Sequence, residues 1–532
     1  MFDTIKWFYS AVGVIFVIYL LGYSTFLLAS VLLGALELYR DRKRLRYHNE
    51  LTHDYYVPVS VIVPAYNEEI TVADTVRSLL TLDYRLFEIV VVDDGSKDAT
   101  TQVLIDAFHL KKVSRPINRR VKCKKEIHVY EALINNVHLT LIQKENGGKA
   151  DALNMGINAS RYPYFICMDA DSALQKDSLT NIVRPVMEDD TIVAVGGMVR
   201  ISNCATLHNG RLVDYHIPWN PVVGTQILEY DRSFMASRIF LDKFNGNLII
   251  SGAFGLFKKD AVMDVGGYDT TTMGEDMELV VKLHAFCRMN KLPYSIRYAP
   301  DAICWSQCPS TIKDLRKQRR RWYLGLYQCL KKHRKMFFSP GFGVVGYVSY
   351  LYYLLYELLS PFIELFGLLT IAMAYAVNLI NVPFMILFFM IYAAYGAVLT
   401  ITAFFARIYT QNIKLSVLDV VKAVYLCIVE SVCFRFIQAF TRMTAFFGYK
   451  KKKNVWGQIQ RQKMNLDKPE NKAAEESSAL EKPENRPSGE SGALEKTENK
   501  PAGKSNVMEN DKRARNALKN DKGEEGCDNA KR

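Results

Sequence analysis

Asp93-Asp94-Gly95-Ser96, Asp169-Ala170-Asp171, Gly274-Glu275-Asp276 and Gln318-Arg319-Arg320-Arg321-Trp322 follow one another within a 532-residue chain. Carboxylates one residue apart, such as Asp169 and Asp171, can share a hard divalent cation, Mg2+ or Mn2+, and its water shell. A cation held there neutralises a diphosphate and stabilises it as a leaving group. Asp93 and Asp94 can accept hydrogen bonds from an imide or a ribose hydroxyl, although the same letters also make an ordinary Asp-Gly turn. Glu275 and Asp276 open a helical stretch, Met277 to Phe286, where the helix dipole favours negative charge. They read either as an N-terminal cap or, in Asp276, as a base that takes the proton from an attacking hydroxyl. Arg321 suits a departing phosphate and Trp322 presents a flat face to a sugar ring. The other arginines of that basic helical segment, Lys313 to Lys335, suit a helix resting on anionic lipid. Lys149, in Asn146-Gly147-Gly148-Lys149-Ala150-Asp151, adds a point charge after a flexible turn without the spacing of a Walker A loop.

These groups need a frame. Val59 to Val63, Glu88 to Val92, Leu139 to Gln143 and Tyr164 to Met168 are β-branched runs that predict buried strands, and Thr71 to Leu80 predicts a helix. The alternation predicts an α/β domain with a mixed, mostly parallel sheet and helices on both faces. Such sheets bind ligands beyond the carboxyl ends of their strands, where Pro64 to Glu68, Asp93-Asp94 and Asp169 to Asp171 fall. The basic insert Lys111 to Lys125 reads as a surface excursion.

Hydrophobic residues make up 49% of the chain and aromatics 12%, high values for a protein with a polar tail. Phe8 to Leu38 carries no charge before Glu37 and exceeds the roughly 20 residues of a bilayer crossing. Arg40, Arg42, Lys43, Arg44 and Arg46 follow it, so it reads as an uncleaved anchor with its N-terminus outside and the chain beyond it in the cytosol. Past Trp322, Phe342 to Ile380 is split by Pro361 into an interfacial helix and a crossing, and Phe384 to Phe405 is a second crossing after a short turn. Val417 to Phe447 is interrupted by Lys422, Glu430, Arg435 and Arg442; a single crossing would put Lys450 to Lys453 outside, so an interfacial or re-entrant helix is expected. The expected divisions are therefore 1–39, 55–335, 340–449 and, from 464 to 532, a disordered low-complexity tail with a repeated Leu-[Asp/Glu]-Lys-[Pro/Thr]-Glu-Asn unit.

The net charge of +13 sits largely at the ends of apolar runs, which argues for cytoplasmic flanks on a membrane lipid surface and against nucleic acid. The 10 cysteines show neither a secreted disulfide pattern nor paired metal spacing, as expected on a reduced cytosolic face.

With these motifs in this order, Val57 to Trp322 and its flanking membrane segments resemble the family 2 glycosyltransferases with a GT-A fold. The likeness is to their membrane-integrated processive branch of cellulose, chitin, hyaluronan and poly-N-acetylglucosamine synthases. The resemblance implies that Tyr66, Glu68, Asp93 and Asp94 bind the uridine part of a UDP-sugar donor. It implies that Lys149, Asp169 and Asp171 hold the diphosphate and the metal, with Arg321 on the phosphates. Asp276, beside Glu275, would be the general base, and Gln318 and Trp322 would border the acceptor. The implied reaction is inverting transfer from UDP-glucose or UDP-N-acetylglucosamine to a growing β-linked polysaccharide, extruded through helices of the plasma membrane, with room for accessory secretion subunits. The chain lacks the gating-loop pattern of bacterial cellulose synthase and any recognisable cyclic-di-GMP domain. A non-processive transferase acting on a lipid carrier is the rival reading, and such enzymes generally lack the Gln-x-x-Arg-Trp group. A catalytically dead scaffold is the reading from outside enzymology, disfavoured by the intact acidic positions.

Overall fold

Continuous apolar runs become strands covered on both faces, as a central parallel sheet requires. In the computed structural model, which describes residues 2–48, 56–411 and 413–447, Val59–Ala65 (β1), Phe87–Asp93 (β2), Val137–Lys144 (β5) and Tyr164–Met168 (β6) form the middle of the sheet. Every residue of β1 and of β2 is buried. β1 runs parallel to both β2 and β6, setting Val61 beside Ile89 on one side and Ile166 on the other, and β2 runs parallel to β5. The ends of β1, β2 and β6 therefore reach one edge together, and the loops there carry Tyr66 to Glu68, Asp94 to Ser96 and Asp169 to Asp171.

Antiparallel strands extend this block. Lys111–Val113 (β3) and Glu126–Ile134 (β4) lie outside β5; Ser172–Leu174 (β7), Ile192–Ile201 (β8), Phe254–Lys258 (β11) and Ser295–Ser306 (β12) complete ten strands in the order β3-β4-β5-β2-β1-β6-β11-β8-β12-β7. β11 is antiparallel to β6 and β8, and β8 is parallel to β12. The Lys111 to Lys125 excursion begins as a strand because Lys111 faces Glu131 across the β3–β4 pair, an opposite-charge pair that favours pairing. A small hairpin, Ala205–His208 (β9) with Arg211–Tyr215 (β10), stands apart from the sheet.

Five helices place the chemistry and lead into the apolar region: Phe2–His48 (α1), Lys149–Ala159 (α2), Pro221–Arg232 (α3), Glu275–Met289 (α4) and Ile312–Lys332 (α5). Beyond them lie Ser360–Ala376 (α6), Val382–Thr410 (α7) and Val417–Val429 (α8). α1 does not stop at Leu38 but runs on through the basic cluster to His48. Lys6–Arg40 and Val382–Tyr409 are long and apolar enough to cross a membrane; Val345–Leu358 with Ser360–Ala376, bent by 51°, makes a third if the pair is one span. The bend falls just before Pro361, whose ring cannot continue the preceding helix. α1 packs on this bent pair through Phe16 stacked on Phe366 and Phe26 stacked on Tyr352, and Tyr395 of α7 donates to the Ser24 carbonyl at 3.0 Å.

The charges that interrupt Val417 to Phe447 all find partners on neighbouring segments. Lys422 donates to the Ile217 carbonyl at 3.0 Å, and Asp419 accepts from Ile217 N–H at 3.0 Å while closing a capping box with Ser416. Glu430, Arg435 and Arg442 pair with Arg232, Glu364 and Glu357. Lys450 to Lys453 and the tail from 464 lie outside the described residues.

Candidate active site

The first turns of α2 and α4 meet the end of β6 at one cluster. Lys149, the first residue of α2, places Nζ 2.5 Å from Asp169 Oδ1 and 3.7 Å from Glu275 Oε1. Asp276 Oδ2 accepts from Gly252 N–H at 3.2 Å and Oδ1 from Met277 N–H at 2.8 Å. A Cβ on Gly252 would come within 3.2 Å of Lys149 Nζ and 3.5 Å of Asp276 Cβ, so this glycine is the floor between the ammonium and the carboxylate. Burial opposes the charge on Lys149, but Asp169 and then Glu275 outweigh it and hold its pKa above the ordinary lysine range. Burial, helped by the Asp276 charge and opposed by Lys149, pushes the Glu275 carboxyl upward. The cluster thus holds a fixed cation beside a carboxylate on a helix N-terminus.

Asp169 and Asp171 reach this cavity from the turn after β6, and Asp171 is buried. Two oxygen-only donors one residue apart, with Asp169 also answered by Lys149, fit a hard divalent cation.

Asp94 takes a different place. It is fully buried, accepts from Lys144 Nζ at 2.5 Å, and from Gly147 and Gly148 N–H at 3.0 and 2.7 Å. Lys144 also meets Asp151 at 2.6 Å. Asp93 binds Ser96 N–H at 2.9 Å and the Thr101 hydroxyl, while Asn67, in the left-handed region, locks onto Ser96 and Lys97. Glu68 is buried and accepts from the Thr71 hydroxyl at 2.9 Å. Asp93, Asp94 and Glu68 therefore build the loops beside the cavity, with Tyr66 on the same edge, and none of the four lines the space that holds Lys149, Asp169, Glu275 and Asp276. The Gly147-Gly148 turn that launches Lys149 is held by Asp94. Replacing Lys144 by Ala is expected to cost about 3–5 kcal/mol, because it strands two buried carboxylates; a thermal unfolding curve of the purified protein checks it.

α5 brings the basic-aromatic group to the opposite wall. Arg319 is buried against Glu229 at 2.5 Å, and its guanidinium stacks on Trp322 with 4.6 Å to the ring centroid. Arg320 donates to the carbonyls of Thr444 and Phe447 at 3.0 and 2.8 Å. These two arginines, expected on lipid, are thus structural pairs within the protein, because each guanidinium finds acceptors on elements folded over α5. Trp322 stays 39% exposed, 6.4 Å from the Tyr230 ring, and borders the cavity with Gln318 and Arg321. Gln318 Oε1 is buried with no hydrogen-bond partner among the described residues. α4 and α5 touch at two glycines: a Cβ on Gly325 would lie 2.7 Å from Gly274 N and 2.8 Å from Gly274 Cα.

The cavity, about 540 Å³, is continuous from Lys149 and Asp276 past Trp322 to the helices of the apolar region. There Tyr23, Tyr356, Tyr392 and Tyr395 line it, with Glu357, Glu364 and Glu430, each paired to an arginine at 2.7 to 3.7 Å. Sequence reasoning missed Lys144, Glu229, Tyr230 and this tyrosine lining. The tyrosines did leave a signal: Tyr19 and Tyr23, and Tyr352 and Tyr356, recur at four residues on one helix face.

A family model described as "Glycosyl transferase family 2" matches residues 60–266, and one described as "Glycosyl transferase family group 2" matches 164–401. Together the two models place residues 60–401, which hold the sheet and the site described above, among the family 2 glycosyltransferases. Among characterised proteins it is 31% identical over 321 residues to a poly-beta-1,6-N-acetyl-D-glucosamine synthase of Staphylococcus aureus, covering 59% of this chain and 66% of that protein. It is 33% identical over 283 residues to the Staphylococcus epidermidis protein of the same name, covering 52% and 57%. The chain thus spans less than two thirds of either relative's length. Among solved structures, a mannosyltransferase from Pyrobaculum calidifontis in complex with GDP-Man and Mn2+ is 22% identical, with a TM-score of 0.45 over 78% of this chain and 99% of that one.

Proposed function

We propose that this chain is a processive inverting transferase that builds a β-linked polysaccharide from a UDP-sugar, UDP-N-acetylglucosamine before UDP-glucose, and passes it into the membrane. The observation that carries the reading is the single cavity joining the Lys149–Asp276 cluster to a tyrosine-lined end among apolar helices. Sugar rings stack on aromatic faces, so Trp322 and the tyrosines suit an acceptor that stays bound between additions. The names of the staphylococcal relatives favour the N-acetylglucosamine donor.

In this reading the acceptor hydroxyl lies between Trp322 and Asp276. Asp276 takes its proton as the oxygen attacks the anomeric carbon from the face opposite the diphosphate, which leaves with its bonding electrons. Lys149 and Arg321 face the departing charge. Asp169 and Asp171 are the residues that would hold Mg2+ or Mn2+, which supplies charge neutralisation to the diphosphate. Tyr66, Glu68, Asp93 and Asp94 serve the nucleoside end by shaping the loops that receive it. The catalytic domain faces the cytosol in this reading, with the helices in the plasma membrane.

Protein in lipid nanodiscs, given one radiolabelled UDP-sugar at a time with Mg2+ or Mn2+, tests the proposal. A labelled high-molecular-weight product from UDP-N-acetylglucosamine, cut by a linkage-specific hydrolase, is expected. A product of lipid size bearing one sugar would replace polymerisation by transfer to a carrier.

A further inference from the structure

The second half of α5 holds a group of side chains that the transfer reaction does not use. Cys329 and His333 stand four residues apart and so project from one helix face. Glu278 of α4 faces them. One ligand atom from each, the cysteine sulfur, an imidazole nitrogen and a carboxylate oxygen, lie within 4.8 Å of one another. Glu278 and Cys329 are fully buried and His333 is partly so. Glu278 Oε1 contacts His333 Nε2 at 3.0 Å and accepts from Lys332 Nζ at 2.6 Å. Its other oxygen, also buried, meets no nitrogen or hydroxyl donor among the described residues, and the Cys329 thiol donates to the same carboxylate. A carboxylate sealed from water, which draws a thiol, an imidazole and an ammonium to itself, gathers sulfur, nitrogen and oxygen donors that a cation can take in place of the ammonium.

We propose that Glu278, Cys329 and His333 form a zinc site that clamps α4 to α5. Zinc takes sulfur, nitrogen and carboxylate oxygen at about 2.0–2.3 Å in a tetrahedron, whose ligand atoms lie roughly 3.3–3.8 Å apart. The spread among the three donors closes to that with side-chain adjustments of about an ångström. Binding releases the Cys329 proton to solvent and moves the Lys332 ammonium off Glu278. Lys332 has somewhere to go: its side chain is 49% exposed and already reaches Asp269 at 2.5 Å. The side open at His333 leaves the fourth position to water. This set differs from Asp169 and Asp171, which offer only hard oxygens and so favour magnesium or manganese. The clamp sits two residues from Asp276 on α4 and, at Cys329, two turns from Trp322 on α5, and its occupancy holds those two helices at a fixed separation.

Tag-free full-length protein in nanodiscs, with Mg2+ in excess to fill oxygen-only sites, is titrated with zinc chloride, desalted and assayed for bound metal. About one zinc per chain is expected, with a raised unfolding temperature. Cys329→Ser and His333→Ala should each weaken zinc binding at least ~10-fold, and Lys332→Gln should tighten it by removing the competing ammonium. Cobalt in place of zinc reports the sulfur ligand in unmutated protein through a thiolate-to-metal absorption band, so the site is testable even if a variant does not fold. Failure to retain zinc, retention unchanged in both ligand variants, or a cobalt complex without the thiolate band overturns the proposal.

Discussion

Asp276→Asn is expected to lower transfer by about 10²–10⁴-fold while UDP-sugar binding stays within about twofold of the parent. Asparagine keeps the shape of the side chain and an oxygen for the N–H groups of Gly252 or Met277, which Asp276 now satisfies at 3.2 and 2.8 Å. What it loses is the ability to accept a proton. Glu275, next along the helix, does not substitute, because it is turned to Lys149 at 3.7 Å. The measurement is turnover of radiolabelled donor beside donor affinity by calorimetry. Unchanged turnover removes Asp276 from the chemistry, and loss of both quantities together assigns it to donor binding instead.

Gly325→Ala is expected to reduce turnover by about 10²-fold, although alanine is the better helix former by about 1 kcal/mol. Helix propensity and packing predict opposite signs here, and distance decides between them. The added methyl would lie 2.7 Å from Gly274 N and 2.8 Å from Gly274 Cα, backbone atoms that no rotamer change can move aside. α4 and α5 must separate, at a cost of about 1–3 kcal/mol, and Asp276 moves away from Trp322. Turnover falling with only a small drop in unfolding temperature identifies the glycine pair as a positioning device. A more stable and fully active variant would mean that the helices part freely.

The legible part of this protein was what depends on local pattern. β1, β2 and β6 announce themselves as short, largely apolar runs because both sheet faces are covered, and their ends locate the acidic loops. α4 and α5 were readable from the acidic first turn of the one and the basic stretch of the other. The hidden part was set by contacts between distant segments. Nothing local shows that Lys144 will neutralise Asp94, 50 residues earlier in the chain, or that Arg319 will pair with Glu229, 90 residues earlier. Each such charge reads as surface until its partner is known. Glycines in α5 and before α4 likewise carry no mark of their contact, and Cys329 with His333 passed unnoticed because their third member, Glu278, comes from another helix.

In the proposed reading of the cavity as the path of the polymer, the guanidinium–carboxylate couples along its inner wall bear on what can pass. Arg232 with Glu430, Arg435 with Glu364 and Arg442 with Glu357 cancel one another where they stand. Charges paired in this way would neither snare nor repel an uncharged polyol, and each hydroxyl would find a donor or acceptor it can leave again. A strongly anionic chain would instead linger at every arginine, pulling it from its glutamate, so on that reading the paired wall suits a neutral polymer better than an anionic one.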